Sequence, residues 1–266
     1  MALRRLLRGQ IDLDRLEAIA REVTECDDQP AGRVEFLEAN NWLSTPFVID
    51  DRYFVKAISR QHSLVHTLLT TGRNLGAYAS GSEGFFEHVA SPIEMAEREL
   101  AATRRMRDLG INVPRPVRAF EFDGLGVLVM EYIPEFETLD DADPDTVDGH
   151  AEELFQWLTE MHQAGFAHGD LRAENVLISR GELYFIDATC VDEDNVRDAR
   201  AYDVACALAV LEPILGAHRT VEAAATVCDR ETLVTASGFL DFVNIRPDHS
   251  FDVLAVKGEL AKATTG

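Results

Sequence analysis

The stretch His168-Gly169-Asp170-Leu171-Arg172-Ala173-Glu174-Asn175-Val176-Leu177, followed at short range by Tyr184-Phe185-Ile186-Asp187, carries the spacing that decides the fold. Asp170 and Asn175 stand five apart in a loop between two periodic segments. At that spacing the carboxylate can take a proton from an attacking hydroxyl while the amide oxygen turns toward a metal on phosphate groups. Asp187 ends a β-rich apolar run and is the expected main Mg2+ ligand, because Mg2+ favours a carboxylate together with phosphate oxygens and water. The pattern points to phosphoryl transfer from ATP, with Mg2+ as cofactor. An H-x-D-x-x-x-x-N match alone also occurs in unrelated loops, so its weight rests on four further features that stand in the required order.

Lys56 is the first: the only lysine before residue 257 lies inside the apolar strand Tyr53-Phe54-Val55-Lys56-Ala57-Ile58. In a chain that otherwise uses arginine, this choice implies a place where a compact point charge is needed and a guanidinium fork does not fit; a plain surface lysine is the competing reading. Glu99 is the second. A capping box, Ser91-Pro92-Ile93-Glu94, starts a helix that runs to Gly110. On it Met95, Ala102, Met106 and Leu109 form an apolar stripe with Glu99 in its middle. A carboxylate facing a core needs a cation, and Lys56 is the best candidate. The third is Val129-Met130-Glu131-Tyr132-Ile133, read either as a plain buried strand or as a strand that offers the backbone of Glu131 and Ile133 to adenine. The fourth is Asp203, read either as an anchor for the backbone of the catalytic loop or as a charge at a helix N-terminus.

Composition narrows the classes. The 266 residues suffice for one two-lobed domain, and the net charge is -22. Of the 25 basic residues only Lys56, Lys257 and Lys262 are lysines. An acidic, lysine-poor surface suits a salt-loving microbe's cytosol; an acidic face for a basic partner is the alternative. Direct binding of duplex nucleic acid is not expected, since it rests on basic side chains neutralising phosphates, although Arg104, Arg105 and Arg107 cluster locally. Cys26, Cys190, Cys206 and Cys228 have no C-x-x-C spacing, which speaks against zinc or a disulfide framework. The N-terminal residues lack a signal-peptide stretch, and the most apolar run, Val204 to Val210, is too short to cross a bilayer. A cytoplasmic protein with no membrane contact is expected.

Along the chain, residues 1–32 read as a charged helical extension with Leu13, Leu16, Ile19 and Val23 at helical spacing. Val34 to Ile58 reads as three short antiparallel strands. Residues 59–90 hold a helix from Leu64 to Leu69 and a Gly-, Ser- and Thr-rich loop. A buried strand follows at Val127 to Ile133, then an acidic linker, a helix from Glu152 to Gln163, a hairpin (Val176 to Ser179, Leu183 to Ile186), and mostly helix from Asp198 onward. The fold class is therefore α+β, strands first and helices second.

Taken in order, Lys56, Glu99, Val129 to Ile133, His168 to Asn175, Asp187 and Asp203 resemble the protein-kinase superfamily over roughly residues 34 to 216. Three departures define the subtype. No glycine-rich loop is visible at Glu38 to Ser44, Gly169 replaces the arginine of H-R-D, and Asp187-Ala188-Thr189 stands where D-F-G would be. The segment from Asp187 to Asp203 is also short for an activation loop. These features resemble the atypical RIO kinases and the related kinase of the KEOPS complex. The resemblance implies a bilobal kinase-like fold: an extension (1–32), a small antiparallel β lobe (33–133, with an insertion at 59–90) and a helical lobe (134–266). It implies ATP between the lobes, with Lys56, Glu99, Met130, Glu131 and Ile133 as its binding residues and Asn175 and Asp187 on Mg2+. Asp170, Arg172 and Lys56 are then catalytic, and the activity is that of a serine/threonine protein kinase acting on a protein substrate, or of an ATPase switch. Ser63, Thr67, Thr70, Thr71, Ser80 and Ser82 become candidate self-phosphorylation sites. The runner-up is a small-molecule phosphotransferase like the aminoglycoside and choline kinases. Those commonly carry His two residues after the catalytic Asp, where this chain has Arg172.

Overall fold

The computed structural model of the protein describes residues 11–25, 32–37, 44–59, 91–188, 196–246 and 249–265. The helix expected at Leu64 to Leu69, the insertion and its Ser and Thr residues, Cys26 and Cys190 lie outside the described residues.

Two compact units share the chain, with boundaries between Arg104 and Arg105, Val113 and Pro114, and Pro134 and Glu135. In the first unit, β1 (Val34–Phe36), β2 (Thr45–Ile49), β3 (Tyr53–Ile58), β4 (Pro116–Phe122) and β5 (Leu125–Glu131) form an antiparallel sheet in the order β1-β2-β3-β5-β4. The three strands expected up to Ile58 are present. Strand β4 is one that the sequence pattern does not announce. Proline at its first position and half-buried residues along most of its length mark it as an edge strand, without the apolar alternation that signals a strand.

The period-2 alternation of β3 and β5 gives the sheet two working faces. Tyr53, Val55, Ala57, Val127 and Val129 pack with Leu16, Ile19, Ala20 and Val23 of α1 (Leu13–Thr24). The predicted helical spacing thus forms a helix that is part of the sheet's core, although Leu13 itself is exposed. On the opposite face Ile58, Leu128 and Met130 pack with Ala96 and Leu100 of α2 (Pro92–Asp108). Lys56 lies on this second face, opposite Leu128 in the register.

The start of α2 behaves as expected: the Glu94 amide donates to the Ser91 hydroxyl at 3.3 Å, and Gly110 terminates the segment at φ +85°. The apolar face is rotated from the predicted one. Ala96, Leu100, Ala102, Thr103 and Met106 are buried, while Met95 is half-buried and Leu109 is exposed. Gly126 explains how closely β5 approaches this helix. A Cβ there would meet the Pro92 carbonyl oxygen at 2.0 Å and the Ile93 nitrogen at 2.7 Å. Because both are backbone atoms, neither can swing aside, and Gly126→Ala is expected to cost ~3 kcal/mol, the upper end of overpacking penalties. A denaturant titration checks this; a midpoint within error of wild type would contradict it.

The second unit is helical around a small sheet. Strands β6 (Phe136–Thr138), β7 (Val176–Ser179) and β8 (Glu182–Phe185) are antiparallel in that order. Strand β6 occupies part of what reads as an acidic linker. Helix α3 (Pro144–Gln163) begins well before the predicted Glu152, because Asp143 accepts from the Asp145 amide at 3.0 Å with Pro144 at the first helical position. Helices α4 (Val196–Leu215), α5 (Ala217–Val227), α6 (Arg230–Ile245) and α7 (Val253–Thr265) follow. Every residue from Ala201 to Val210 is buried, which makes α4 the core helix. Among the described residues no helix is long and apolar enough to cross a membrane.

Candidate active site

In the first unit the alternation of β3 directs Lys56 toward α2, and its ammonium meets Glu99 Oε1 at 2.7 Å. Both side chains are largely shielded, at 5% and 17% exposure, so the ammonium is fixed by a charge-assisted bond rather than by solvent. Met130 is buried in the same face, with its sulfur 4.0 Å from the Thr103 hydroxyl. The Glu131 amide, one of the groups expected to face adenine, already donates to the Arg115 carbonyl at 2.9 Å, and the Tyr132 amide donates to Arg52. The Ile133 amide donates to no backbone carbonyl among the described residues, so it and the Glu131 carbonyl are the groups that could meet a base edge.

In the second unit the loop before β7 is held from behind by Asp203. Its carboxylate accepts from the His168 amide at 2.7 Å and the Gly169 amide at 2.8 Å, and contacts His162 Nε2 at 3.1 Å. Asp203 lies inside α4, not in its first turn, and is fully buried. Of the two readings of this residue, the anchor of the loop is the one the geometry shows. Gly169 has φ +81°, a conformation that strains a side-chain-bearing residue, so glycine follows from the turn that presents its amide to Asp203.

The loop then places Asp170 in a buried position, with its carboxylate between two guanidinium groups: Arg172 Nη2 lies 3.1 Å from Oδ2 and Arg246 Nη2 lies 3.0 Å from Oδ1. Arg172 also pairs with Glu174. Asn175 closes a 3-10 turn (Ala173–Asn175), and its Nδ2 donates to the Asp170 carbonyl at 2.7 Å. That bond fixes the amide orientation and leaves Oδ1 as the atom available to a cation. The Ile186 amide donates to the Asn175 carbonyl at 3.0 Å, which brings the start of the Asp187 segment beside Asn175. Asp187 has φ +59°, a left-handed conformation that Asp tolerates better than most residues. A carboxylate and an amide oxygen suit Mg2+, which takes few protein ligands and completes its shell with phosphate and water.

His168 is structural. Its Nε2 lies 3.1 Å from the Ile186 carbonyl, and its ring meets Phe185 edge-on at 5.4 Å. Burial pushes its pKa below the usual value against the opposing pull of Asp203, Asp170 and Asp187, so the ring is neutral and Nε2–H is the donor to Ile186. An unfolded histidine takes up a proton as the pH falls through about 6.5, and the folded one does so only at lower pH. Acidification from about pH 7 to pH 5.5 therefore favours the unfolded state, by up to ~1.4 kcal/mol per pH unit inside that window. Chemical denaturation at the two pH values is expected to show a smaller loss in His168→Gln than in wild type; equal losses would contradict this. Cys206 is inert core, its thiol pushed up to about 12 by burial.

Sequence reading missed Arg246, the first residue after α6. It lies 76 positions from Asp170, and no local pattern sets it apart from the other arginines.

The segment from His168 to Asp187 lies inside the part of the chain that matches a known family. Residues 83–211 match the RIO domain. The resemblance read from the sequence is thus found independently, and Glu99, Met130, Asp170, Asn175, Asp187 and Asp203 fall inside the match while Lys56 precedes it. Over 115 residues the chain is 31% identical to KEOPS complex subunit Bud32 of Pyrococcus abyssi, an alignment that covers 42% of this chain and 51% of that protein. The chain therefore spans about half the length of this curated relative. Among solved structures, WbdD is similar at a TM-score of 0.47 and 15% identity, covering 88% of this chain and 46% of that one. The Drosophila melanogaster PAN3 pseudokinase is similar at 0.45 and 13%, covering 90% and 63%.

Proposed function

We propose that the chain is an ATP- and Mg2+-dependent phosphotransferase of the RIO kinase type that transfers the terminal phosphate to a protein Ser or Thr hydroxyl. The observation that carries this reading is the H-G-D loop itself. Asp203 clamps its backbone, Asp170 and Asn175 are tied to each other, and Asn175 is tied to the Asp187 segment. When bound, Mg2+ supplies neutralisation of the phosphate charge. Lys56, steadied by Glu99, orients the inner phosphates, and the Glu131 carbonyl and Ile133 amide receive the adenine edge beside Met130. Asn175 Oδ1 and the Asp187 carboxylate hold the cation. Asp170 aligns the acceptor hydroxyl: its oxygen bonds to the terminal phosphorus, the bond to the bridging oxygen breaks, ADP departs with the electron pair, and the hydroxyl proton passes to Asp170. Most of the rate comes from positioning and electrostatics.

Arg172 favours a protein acceptor over a small molecule, since a cation two residues after the catalytic Asp serves the migrating phosphoryl group as the lysine of many protein-kinase loops does. The named relative is a subunit of a complex, and a partner protein is accordingly part of this reading. So are a cytoplasmic location, a salt-rich interior and no direct role for duplex nucleic acid. The test is incubation in concentrated KCl with Mg2+ and ATP labelled on its terminal phosphate, with a protein extract or with small-molecule acceptors. Label on protein Ser or Thr supports the proposal. Label on a small acceptor favours the aminoglycoside and choline kinase type, and free phosphate alone favours an ATPase switch.

A further inference from the structure

From the end of α6, the side chain of Arg246 reaches the candidate site. Arg246 directs Nη2 to Asp170 Oδ1 at 3.0 Å and Nη1 to the Tyr202 hydroxyl, with Nη1 also 4.0 Å from Cys206 Sγ. Tyr202 is fully buried on α4 and packed against Phe239 and Phe242 of α6, at ring separations of 6.1 and 5.8 Å. The guanidinium is therefore braced by two helices, and its side chain is 8% exposed. Arg172, another partner of Asp170, is differently placed: its side chain is 19% exposed, and it also pairs with Glu174, which is 52% exposed.

We infer that Arg246 is a positioning residue: it serves as the standing counter-ion of Asp170 and so releases Arg172 to follow the phosphoryl group. The inference rests on the function proposed above. A buried carboxylate must keep a cation, because an uncompensated charge in a low-dielectric interior is strongly disfavoured. If Arg172 were the only partner of Asp170, turning it toward a phosphate would strand that carboxylate. With Arg246 fixed on Oδ1, Asp170 keeps a counter-ion and its orientation while Arg172 exchanges the exposed Glu174 and Oδ2 for phosphate oxygens, a bidentate geometry that guanidinium groups favour. The two arginines divide the work: the braced one orients the carboxylate, and the more exposed one serves the moving charge. In the proposed function Lys56 serves the nucleotide and Asn175 and Asp187 serve its cation, with no part for Arg246, so loss of Arg246 is expected to act on turnover rather than on ATP affinity.

The experiment compares kcat and KM for Mg-ATP in the full chain, wild type against Arg246→Gln, Arg246→Lys and Tyr202→Phe, with Asp170→Asn as reference and a thermal melt of each. Arg246→Gln is expected to lower kcat about 100-fold with KM within about twofold of wild type. Arg246→Lys, which restores the charge, is expected to recover most of that loss. Tyr202→Phe removes one brace without touching Asp170 and is expected to lower kcat severalfold at unchanged KM. A folded Arg246→Gln with wild-type kcat overturns the inference, as does a rise in KM at constant kcat or a Lys variant no better than Gln. If Arg246→Gln fails to fold, unchanged kcat in Tyr202→Phe overturns it. Wild-type turnover by Asp170→Asn would instead overturn the role given to Asp170 in the proposed function.

Discussion

Asp187→Ala is expected to give a folded protein whose phosphoryl transfer falls about 1000-fold or more, equivalent to ~4 kcal/mol of lost transition-state stabilisation. The fold is expected to survive because Asp187 is only half-buried, and because bonds made by its neighbours also hold this segment. The Ile186 amide reaches Asn175, the Ile186 carbonyl reaches His168, and the Phe185 amide reaches Asn112. Alanine held at the same left-handed φ costs roughly 1–2 kcal/mol, too little to unfold a domain of this size. What disappears is the carboxylate to which the proposed function assigns the cation. Matched thermal melts and single-turnover assays check both halves of the expectation. An unfolded variant would mean that Asp187 is structural, and undiminished transfer would remove it from the site.

Asp203→Ala is expected to fail in the opposite way, through stability first. The carboxylate is the acceptor for the His168 and Gly169 amides and a partner of His162, all in the buried base of the loop. Alanine leaves these groups without that acceptor in a site that water does not reach, at a cost of about 3–5 kcal/mol. Activity is lost as well, because the amides that set the course of the loop through Gly169 to Asp170 lose their anchor. Asp203→Asn keeps one carbonyl oxygen and is expected to fall between alanine and wild type in both stability and rate. Urea titration alongside a turnover assay checks the order; an alanine variant as stable as wild type would contradict the anchoring role.

These two aspartates show why much of the site is legible in the sequence. Chemistry that depends on short spacing within one loop, such as Asp170 to Asn175, is written in consecutive residues. The Lys56–Glu99 pair is legible for another reason: a lone lysine in an apolar strand and a carboxylate among apolar helix positions each imply a missing partner. Ser91 and Gly110 declare the ends of their helix through capping chemistry. Other features are written more faintly. Strand β4 hides because a proline-led edge strand with half-buried residues lacks alternation, and the start of α3 hides because Asp143-Pro144 sits in an acidic stretch that reads as linker. The face of α2 is misjudged because Met95 and Leu109 are apolar residues at helical spacing, while Leu100 and Thr103 take the buried positions. The engagement of the Glu131 amide with Arg115 follows from sheet register, which apolar content alone does not specify. Arg246 is the extreme case, a long-range contact made by a residue type that the chain uses everywhere.

The central claim is that the residues gathered around Asp170 turn over ATP with the help of a divalent cation. The most direct measurement is cleavage of the terminal phosphate of labelled ATP by the purified chain, with Mg2+ and then with the metal chelated, in wild type and in Asp187→Ala. Cleavage or transfer that requires Mg2+ and disappears in the variant is the predicted result. Cleavage that persists at the same rate in Asp187→Ala, or no metal-dependent cleavage by wild type with any acceptor, would contradict the account.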